Sequence, residues 1–211
     1  MIYLSDTTPL GTGRHRKCYQ HPTDAARCIK VVYNSESGGD KEIKRELGYY
    51  RHLSRRLQDW RGLPRYYGTV KTDCGTGYVY DAILDFDGKP SITLTEFAEN
   101  CRYEEDFRTL RTLLKALKQY LYKNRIVTMT LKPQNILCQR ISESEVLPVV
   151  CDNIGESTFL PVATWSAWFC HRKQERLWQR FLQQPALRTA LKASSSTQGK
   201  TGASASLKAP A

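Results

Sequence analysis

One stretch decides most about what this chain can fold into. Phe107, Leu110, Leu113, Leu114, Leu117, Tyr120 and Leu121 recur at helical spacing, with Arg108, Arg111, Lys115 and Lys118 on the other side. A helix with such a stripe must bury it against another layer. The residues before it read mainly as strands. Ile2–Leu4 is short and apolar. Pro9–Tyr19 is a glycine turn followed by a second short strand, and Arg27–Tyr33 is rich in branched residues. Tyr66–Thr72 and Gly77–Leu84 flank Asp73–Gly77, which reads as a hairpin turn. One helix interrupts these strands, capped by Asp40 or Ser37 and ending near Leu57–Asp59, with Ile43, Leu47, Tyr50, Leu53 and Leu57 on one face. After the long stripe come two short strands, Ile136–Gln139 and Val146–Cys151, and a helical segment at about 163–191. There Trp165, Trp168, Phe169, Trp178 and Phe181 are expected in the core.

Strands first and helices later argue for an α+β fold in two lobes. The expected boundaries are an N-lobe at about 1–84, a polar linker at about 85–92 and a small helical C-lobe at about 93–192. Residues 193–211 are Ser/Ala/Gly-rich without a large aromatic residue and are expected to be a disordered tail.

The 211 residues carry 32 Lys+Arg against 21 Asp+Glu, a net charge of +11. That excess favours an anionic partner such as phosphate, nucleotide or an acidic surface. The basic clusters do not alternate with aromatic residues, which argues against nucleic acid as the partner. The seven cysteines form no C-x-x-C pair, and with the four histidines they show no zinc-ligand spacing. Asp6, Arg14 and Arg16 interrupt any apolar signal segment, and no run of about 18 apolar residues exists to span a membrane. A cytoplasmic protein with reduced thiols is the expectation.

Four pieces carry chemistry. Leu10-Gly11-Thr12-Gly13 lets backbone N–H groups approach phosphate oxygens, although alone it reads as a hairpin turn. Lys30 lies on the next strand, Cys28-Ile-Lys-Val-Val32. Glu46, between Ile43 and Tyr50, shares the inward side of the first helix and is the candidate carboxylate to pair with Lys30, with Glu42 its rival one turn earlier. Finally, Thr128-Met-Thr-Leu-Lys-Pro-Gln-Asn-Ile-Leu137 and Val149-Val-Cys-Asp-Asn-Ile-Gly155 bracket the two C-terminal strands.

Leu131-Lys-Pro-Gln-Asn-Ile-Leu137 resembles the catalytic loop of protein kinases, H-R-D-L-K-P-x-N-I-L. Asp152-Asn-Ile-Gly155 resembles the D-F-G element with one residue inserted, and Lys30 and Gly11–Gly13 resemble the strand lysine and glycine loop. The resemblance implies a reduced two-lobed protein-kinase-like fold. It implies ATP and Mg²⁺ as cofactors, with Gly11, Gly13, Lys30 and Glu46 on the nucleotide side. Asn135 and Asp152 stand at the metal positions, and Lys132 and Thr130 at the catalytic ones. Over nearly its whole length apart from the tail, the chain also resembles the YrbL family, the PhoP regulatory network proteins of enteric bacteria. Leu10–Tyr19, Asp81–Tyr103 and Asn124–Glu156 carry that likeness. The family name implies expression under a two-component system.

Three departures bear on activity. Thr128, Met129 and Thr130 stand where a kinase has His, Arg and Asp. Arg16 takes the place of the third loop glycine, and no Ala-Pro-Glu segment follows Asp152. A threonine hydroxyl is no base near neutral pH. Losing a general base costs on the order of 10²–10⁴ in rate. The expectation is an ATP–Mg²⁺-binding pseudokinase or weak phosphotransferase with an unidentified protein or small-molecule acceptor. The alternatives are an active small-molecule or lipid-sugar phosphotransferase of non-standard mechanism, and a non-catalytic module for an anionic partner. Arg14, Arg16, Lys17, Lys30 and Lys132 are expected to converge on one interlobe cleft.

Overall fold

The alternation Cys28-Ile29-Lys30-Val31 puts branched residues on one face of a strand and a thiol and a lysine on the other, yet all four are buried. Only a central strand with both faces covered does this. In the computed structural model, which describes residues 1–34, 39–155 and 166–202, that strand is the third of five. The strands are β1 (Gly11–Thr12), β2 (Arg16–Gln20), β3 (Arg27–Val32), β4 (Tyr66–Thr72) and β5 (Gly75–Asp81). They form an antiparallel sheet in the order β1-β2-β3-β5-β4.

Ile29 and Val31 pack on the outer face with Leu4, Tyr19 and Val79. The Ile2–Leu4 segment is not a strand. Ile2 makes a single bridge to Thr72, and the Asp73 carboxylate accepts from the Leu4 and Ser5 N–H groups at 2.7 and 3.1 Å. The β4–β5 turn is tighter than Asp73–Gly77. Thr72 pairs with Gly75, whose φ of +101° suits glycine, so β5 starts two residues early and ends at Asp81.

The inner face meets α1 (Gly39–Ser54), where Ile43, Glu46, Tyr49, Tyr50 and Leu53 are buried. Of the expected caps, Ser37 lies outside the described residues and Asp40 falls inside the helix. Tyr49, Tyr50, Leu53 and Tyr80 join one core that continues through α3 (Glu104–Lys123) into the last helices, so the two halves share it. Six of the seven stripe residues of α3 are buried.

Between the halves lies α2 (Leu94–Asn100), which the apolar periodicity does not announce. Its sign is the pair Thr93 and Glu96. The Thr93 hydroxyl accepts from the Glu96 N–H at 3.2 Å, and the Glu96 carboxylate accepts from the Thr93 N–H at 2.7 Å. A short 3₁₀ turn, Pro133–Asn135, leads into the hairpin of β6 (Ile136–Arg140) and β7 (Val146–Val150).

Two helices close the described chain, α4 (Ala167–Leu182) and α5 (Pro185–Gly202). Gln174 of α4 is buried and donates to the Leu121 and Ile126 carbonyls at 2.7 and 2.9 Å, which ties α4 to the end of α3 and the segment after it. Trp178 and Phe181 are core residues as expected. Trp168 and Phe169 are not. They are 58% and 50% exposed in the first turn of α4, where Cys170 takes the inward position. Trp165 lies outside the described residues. The expected change to a tail at 193 does not coincide with the end of an element. Helix α5 runs on to Gly202, and its buried Ser194 accepts from Arg111 of α3. Alanine and serine permit helix where such a contact anchors it. Residues 203–211 lie outside the described residues.

Candidate functional site

A cavity of about 580 Å³ opens between the inner face of the sheet and the segment 134–152. On the sheet side, Arg16 and Cys18 of β2 share a face with Cys28 and Lys30 of β3, and the register sets Cys18 opposite Lys30. Gly11, Gly13 and Lys17 border the cavity at the β1–β2 turn. Across from them stand Gln134, Asn135, Cys151 and Asp152. Residues Asp81–Leu84, at the end of β5 and beyond, line it with Pro90–Thr93 and Glu96. The fold therefore brings Gly11, Gly13, Lys30, Asn135 and Asp152 to one place.

Arg16 organises the cations and carboxylates behind this cavity. Its Nη2 donates to Glu46 Oε2 at 2.9 Å and is also paired with Asp152 Oδ1. Tyr80 donates its hydroxyl to the other Glu46 oxygen at 3.0 Å. Glu46 is 0% exposed and Arg16 7%. Burial works against the Arg16 guanidinium, but Glu46, helped by Tyr80 and Glu42, reverses it, so its pKa ends above the ordinary value. Burial also pushes the Tyr80 hydroxyl up, with the negative charge of Glu46 adding to the effect. The second Arg16 nitrogen, Nη1, is buried with no hydrogen-bond partner among the described residues.

Here the structure corrects an expectation. Lys30 pairs with neither helix carboxylate. Its Nζ donates to the Cys151 carbonyl and lies 4.6 Å from the centre of the Tyr80 ring. Glu42 sits 4.0 Å from His15 Nε2, and Glu46 belongs to Arg16. A single guanidinium nitrogen, Nη2, thus serves two carboxylates from separate elements, and the Lys30 ammonium is taken up by a carbonyl.

The turn after β7 is held from several sides. Cys151 donates its N–H and its thiol to the Asn135 carbonyl at 2.9 and 3.3 Å, which ties the two oxygen-bearing residues Asn135 and Asp152 together. Asn153 has φ +59° and Gly155 φ +121°, and the Asn153 N–H donates to Asp152 Oδ1 at 2.8 Å. Met129 N–H and Gly155 N–H cross-bond the 127–130 strand-like segment to this turn at 2.7 and 2.9 Å.

The two catalytic-position residues stand apart. Thr130 is exposed, accepts from Asn153 Nδ2 at 3.2 Å and is not part of the cavity wall. Lys132 is exposed where it precedes the 3₁₀ turn, and it too lies off the wall. Of the five cations expected to converge, Arg16, Lys17 and Lys30 line the cavity, while Arg14 and Lys132 do not. A second open cavity of about 670 Å³, bordered by Tyr50, Arg51, Trp60 and Arg65, holds none of the expected site residues.

What the residue pattern did not reveal is the double engagement of Arg16. A lone arginine on a short strand carries no local mark of it. Thr93 and Glu96 on the cavity wall were readable as a capping box.

A family model described as "PhoP regulatory network protein YrbL" matches residues 2–186 of the chain. The chain is 72% identical over 191 residues to the uncharacterized protein YrbL of Escherichia coli (strain K12), covering 90% of this chain and 91% of the relative. The YrbL protein of Shigella flexneri is similar to the same degree and extent. Among the described residues, no helix is long and apolar enough to cross a membrane.

Proposed function

The chain belongs to the PhoP regulatory network protein YrbL family, and from its cavity we propose that it is a kinase-like protein that binds ATP with Mg²⁺. In this reading it works in the cytosol of a PhoP-regulated response as a pseudokinase or a very weak phosphotransferase. The observation that carries the reading is the meeting of Gly11, Gly13 and Lys30 with Asn135 and Asp152 around one 580 Å³ space. That volume falls in the range of about 300–1,000 Å³ typical of small-molecule sites.

The donor set fits the cofactors. Asn135 and Asp152 offer the hard oxygen ligands Mg²⁺ takes. Among the described residues, no group of three His, Cys, Asp or Glu could hold a metal by itself. The ion would therefore complete its shell with phosphate oxygens and water, and it would supply neutralisation of phosphate charge. Lys17 and Lys30 add positive charge on the facing wall. A Cβ at Gly11 would meet no atom within 4 Å, so there is open space beside the turn for a ligand.

Weak or absent turnover follows from Thr130. The hydroxyl is exposed and serves Asn153, and it offers no base of useful strength. The missing base alone raises the barrier by roughly 3–5 kcal/mol.

The reading is tested by thermal unfolding of the whole chain with and without Mg²⁺-ATP. A ligand at 100 times its Kd adds about 2.7 kcal/mol to the folded state. For a chain of this size that is a rise in Tm of roughly 5–10 °C. The rise should vanish in Asp152→Ala. Absence of any shift at millimolar ATP in the wild-type chain overturns the proposal.

A further inference from the structure

Three thiols border the same cavity, and the proposed nucleotide role uses none of them. They are Cys18 on β2, Cys28 on β3 and Cys151 after β7. Their surroundings differ. Cys28 is 5% exposed, its thiol donates to the Asp81 carbonyl at 3.4 Å, and its neighbour Cys18 and then burial push its pKa far up. The Cys151 thiol is occupied as a donor to the Asn135 carbonyl. Cys18 is half-buried, directly opposite Lys30 in the strand register and two residues from Arg16 on the same face.

Cys151 is half-buried as well, and the third partly exposed thiol, Cys74, sits in the β4–β5 turn beside the Asp73 carboxylate. Burial and then that charge push it up. The groups facing Cys18 are therefore two cations, Lys30 and Arg16, and two thiols, Cys28 and Cys151.

We infer that Cys18 is a modification site, the thiol of this chain that reacts with small disulfides and electrophiles entering the cavity. Lys30 and Arg16, the latter paired in turn with Glu46 and Asp152, supply the positive surroundings that favour a thiolate. The neighbouring Cys28 thiol is the largest influence on Cys18. Burial opposes it, Lys30 and Arg16 reinforce it, and the thiol is pulled down to about 7.

In the reaction, the Cys18 thiolate, its proton lost to water, attacks one sulfur of a small-molecule disulfide. The S–S bond of that molecule breaks as the new S–S bond to Cys18 forms. The other half leaves as a thiolate and takes up a proton, so Cys18 is oxidised and the small disulfide reduced.

The adduct stays on Cys18. Cys28 pairs with Gln20, two positions from Cys18, so the two cysteines are diagonal neighbours on adjacent strands. Such neighbours stand about 7–8 Å apart, wider than the 4.4–6.8 Å between Cα atoms that a disulfide accepts. An adduct on Cys18 would occupy the cavity beside Gly11 and Gly13 and exclude another ligand.

The test is competitive labelling of the intact, full-length chain with limiting N-ethylmaleimide from pH 5.5 to 9, read by peptide mass mapping. A parallel sample is treated with oxidised glutathione. Cys18 should be labelled first, with a pH midpoint near neutral. At pH 7 it should react about threefold faster than an ordinary thiol. The greater thiolate fraction is partly offset by the lower nucleophilicity of a more acidic thiol. Glutathione should give a single adduct on Cys18, and Cys18→Ser should remove both signals. First labelling at another cysteine, a Cys18 midpoint at 8.5 or above, or a Cys18–Cys28 disulfide in place of the adduct overturns the inference. Protection of Cys18 by Mg²⁺-ATP is a separate reading. Its absence speaks against nucleotide binding and leaves the reactivity of Cys18 intact.

Discussion

The two faces of β3 are equally buried and built from opposite materials. Ile29 and Val31 look outward into an apolar cluster with Leu4, Tyr19 and Val79. Cys28 and Lys30 look inward, beside Arg16 and Cys18 of the neighbouring strand. The outer face is ordinary stabilisation by removal of apolar surface from water. The inner face buries a lysine, an arginine and, behind them, a glutamate that is 0% exposed. Replacing such groups by apolar ones is often neutral or stabilising. Their presence is therefore weak support for stability and a better sign of a site. One strand thus holds the fold with its odd residues and serves the cavity with its even ones.

This contrast can be broken from either side. The largest effect is expected from Glu46→Ala, which removes one carboxylate from Arg16 and leaves a buried guanidinium with Asp152 alone. Taking one partner from a buried pair costs about 3–5 kcal/mol, to be read from urea unfolding midpoints. A double variant, Arg16→Met with Glu46→Leu, should recover most of that loss while remaining unable to bind ligand normally. If the double variant is as unstable as the single one, the inner face is structural after all.

Next in size is a matched pair on β3. Ile29→Ala opens a cavity in the outer cluster and should cost about 2–5 kcal/mol. The surviving folded protein should respond to Mg²⁺-ATP as the wild type does. Lys30→Met, one residue along, should cost only about 1–3 kcal/mol through the Cys151 carbonyl it leaves unserved, yet abolish the ligand-induced shift in Tm. Equal ligand responses in the two variants would erase the distinction between the faces.

The smallest effect concerns the edge of the outer face. Hydrogen bonds from the Ser5 side chain and from the Leu4 and Ser5 N–H groups hold the Asp73 carboxyl down at about 2. Because the folded value lies below the unfolded one near 3.9, this stabilisation is fully present above about pH 4 and fades as pH falls toward 2. Asp73→Asn should flatten the acid limb of stability in that window and leave neutral-pH ligand binding untouched. Unfolding monitored from pH 5 to 2 reads this out.

The legible parts of the fold were those with long or repeated patterns. The α3 stripe and the β-rich run around Lys30 are periodic over enough residues to outweigh local accident. The run from Leu131 to Leu137 carries a specific order of residue types, and Asn135 and Asp152 do meet the sheet there. Short elements were not so marked. Helix α2 has seven residues, too few for a period, and only its cap was visible. Trp168 and Phe169 misled because aromatic residues in a helix predict burial without saying which turn touches the core. The Ser/Ala-rich segment after 193 holds no apolar stripe, and the contact that fixes Ser194 lies on α3, more than 80 positions away. Arg16 was the hardest to read. Its meaning depends on Glu46 and Asp152, which arrive from α1 and from the turn after β7, and no local pattern encodes that convergence.

A cavity that takes a magnesium nucleotide must bind it in solution. Isothermal titration calorimetry of the intact chain tests it most directly, with Mg²⁺-ATP, ATP in chelator and Mg²⁺ alone as the three titrants. One Mg²⁺-ATP per chain should bind saturably. Metal-free ATP should bind more weakly, Mg²⁺ by itself should release little heat, and the signal should be lost in Asp152→Ala. A folded wild-type chain that releases no binding heat with millimolar Mg²⁺-ATP would contradict nucleotide binding.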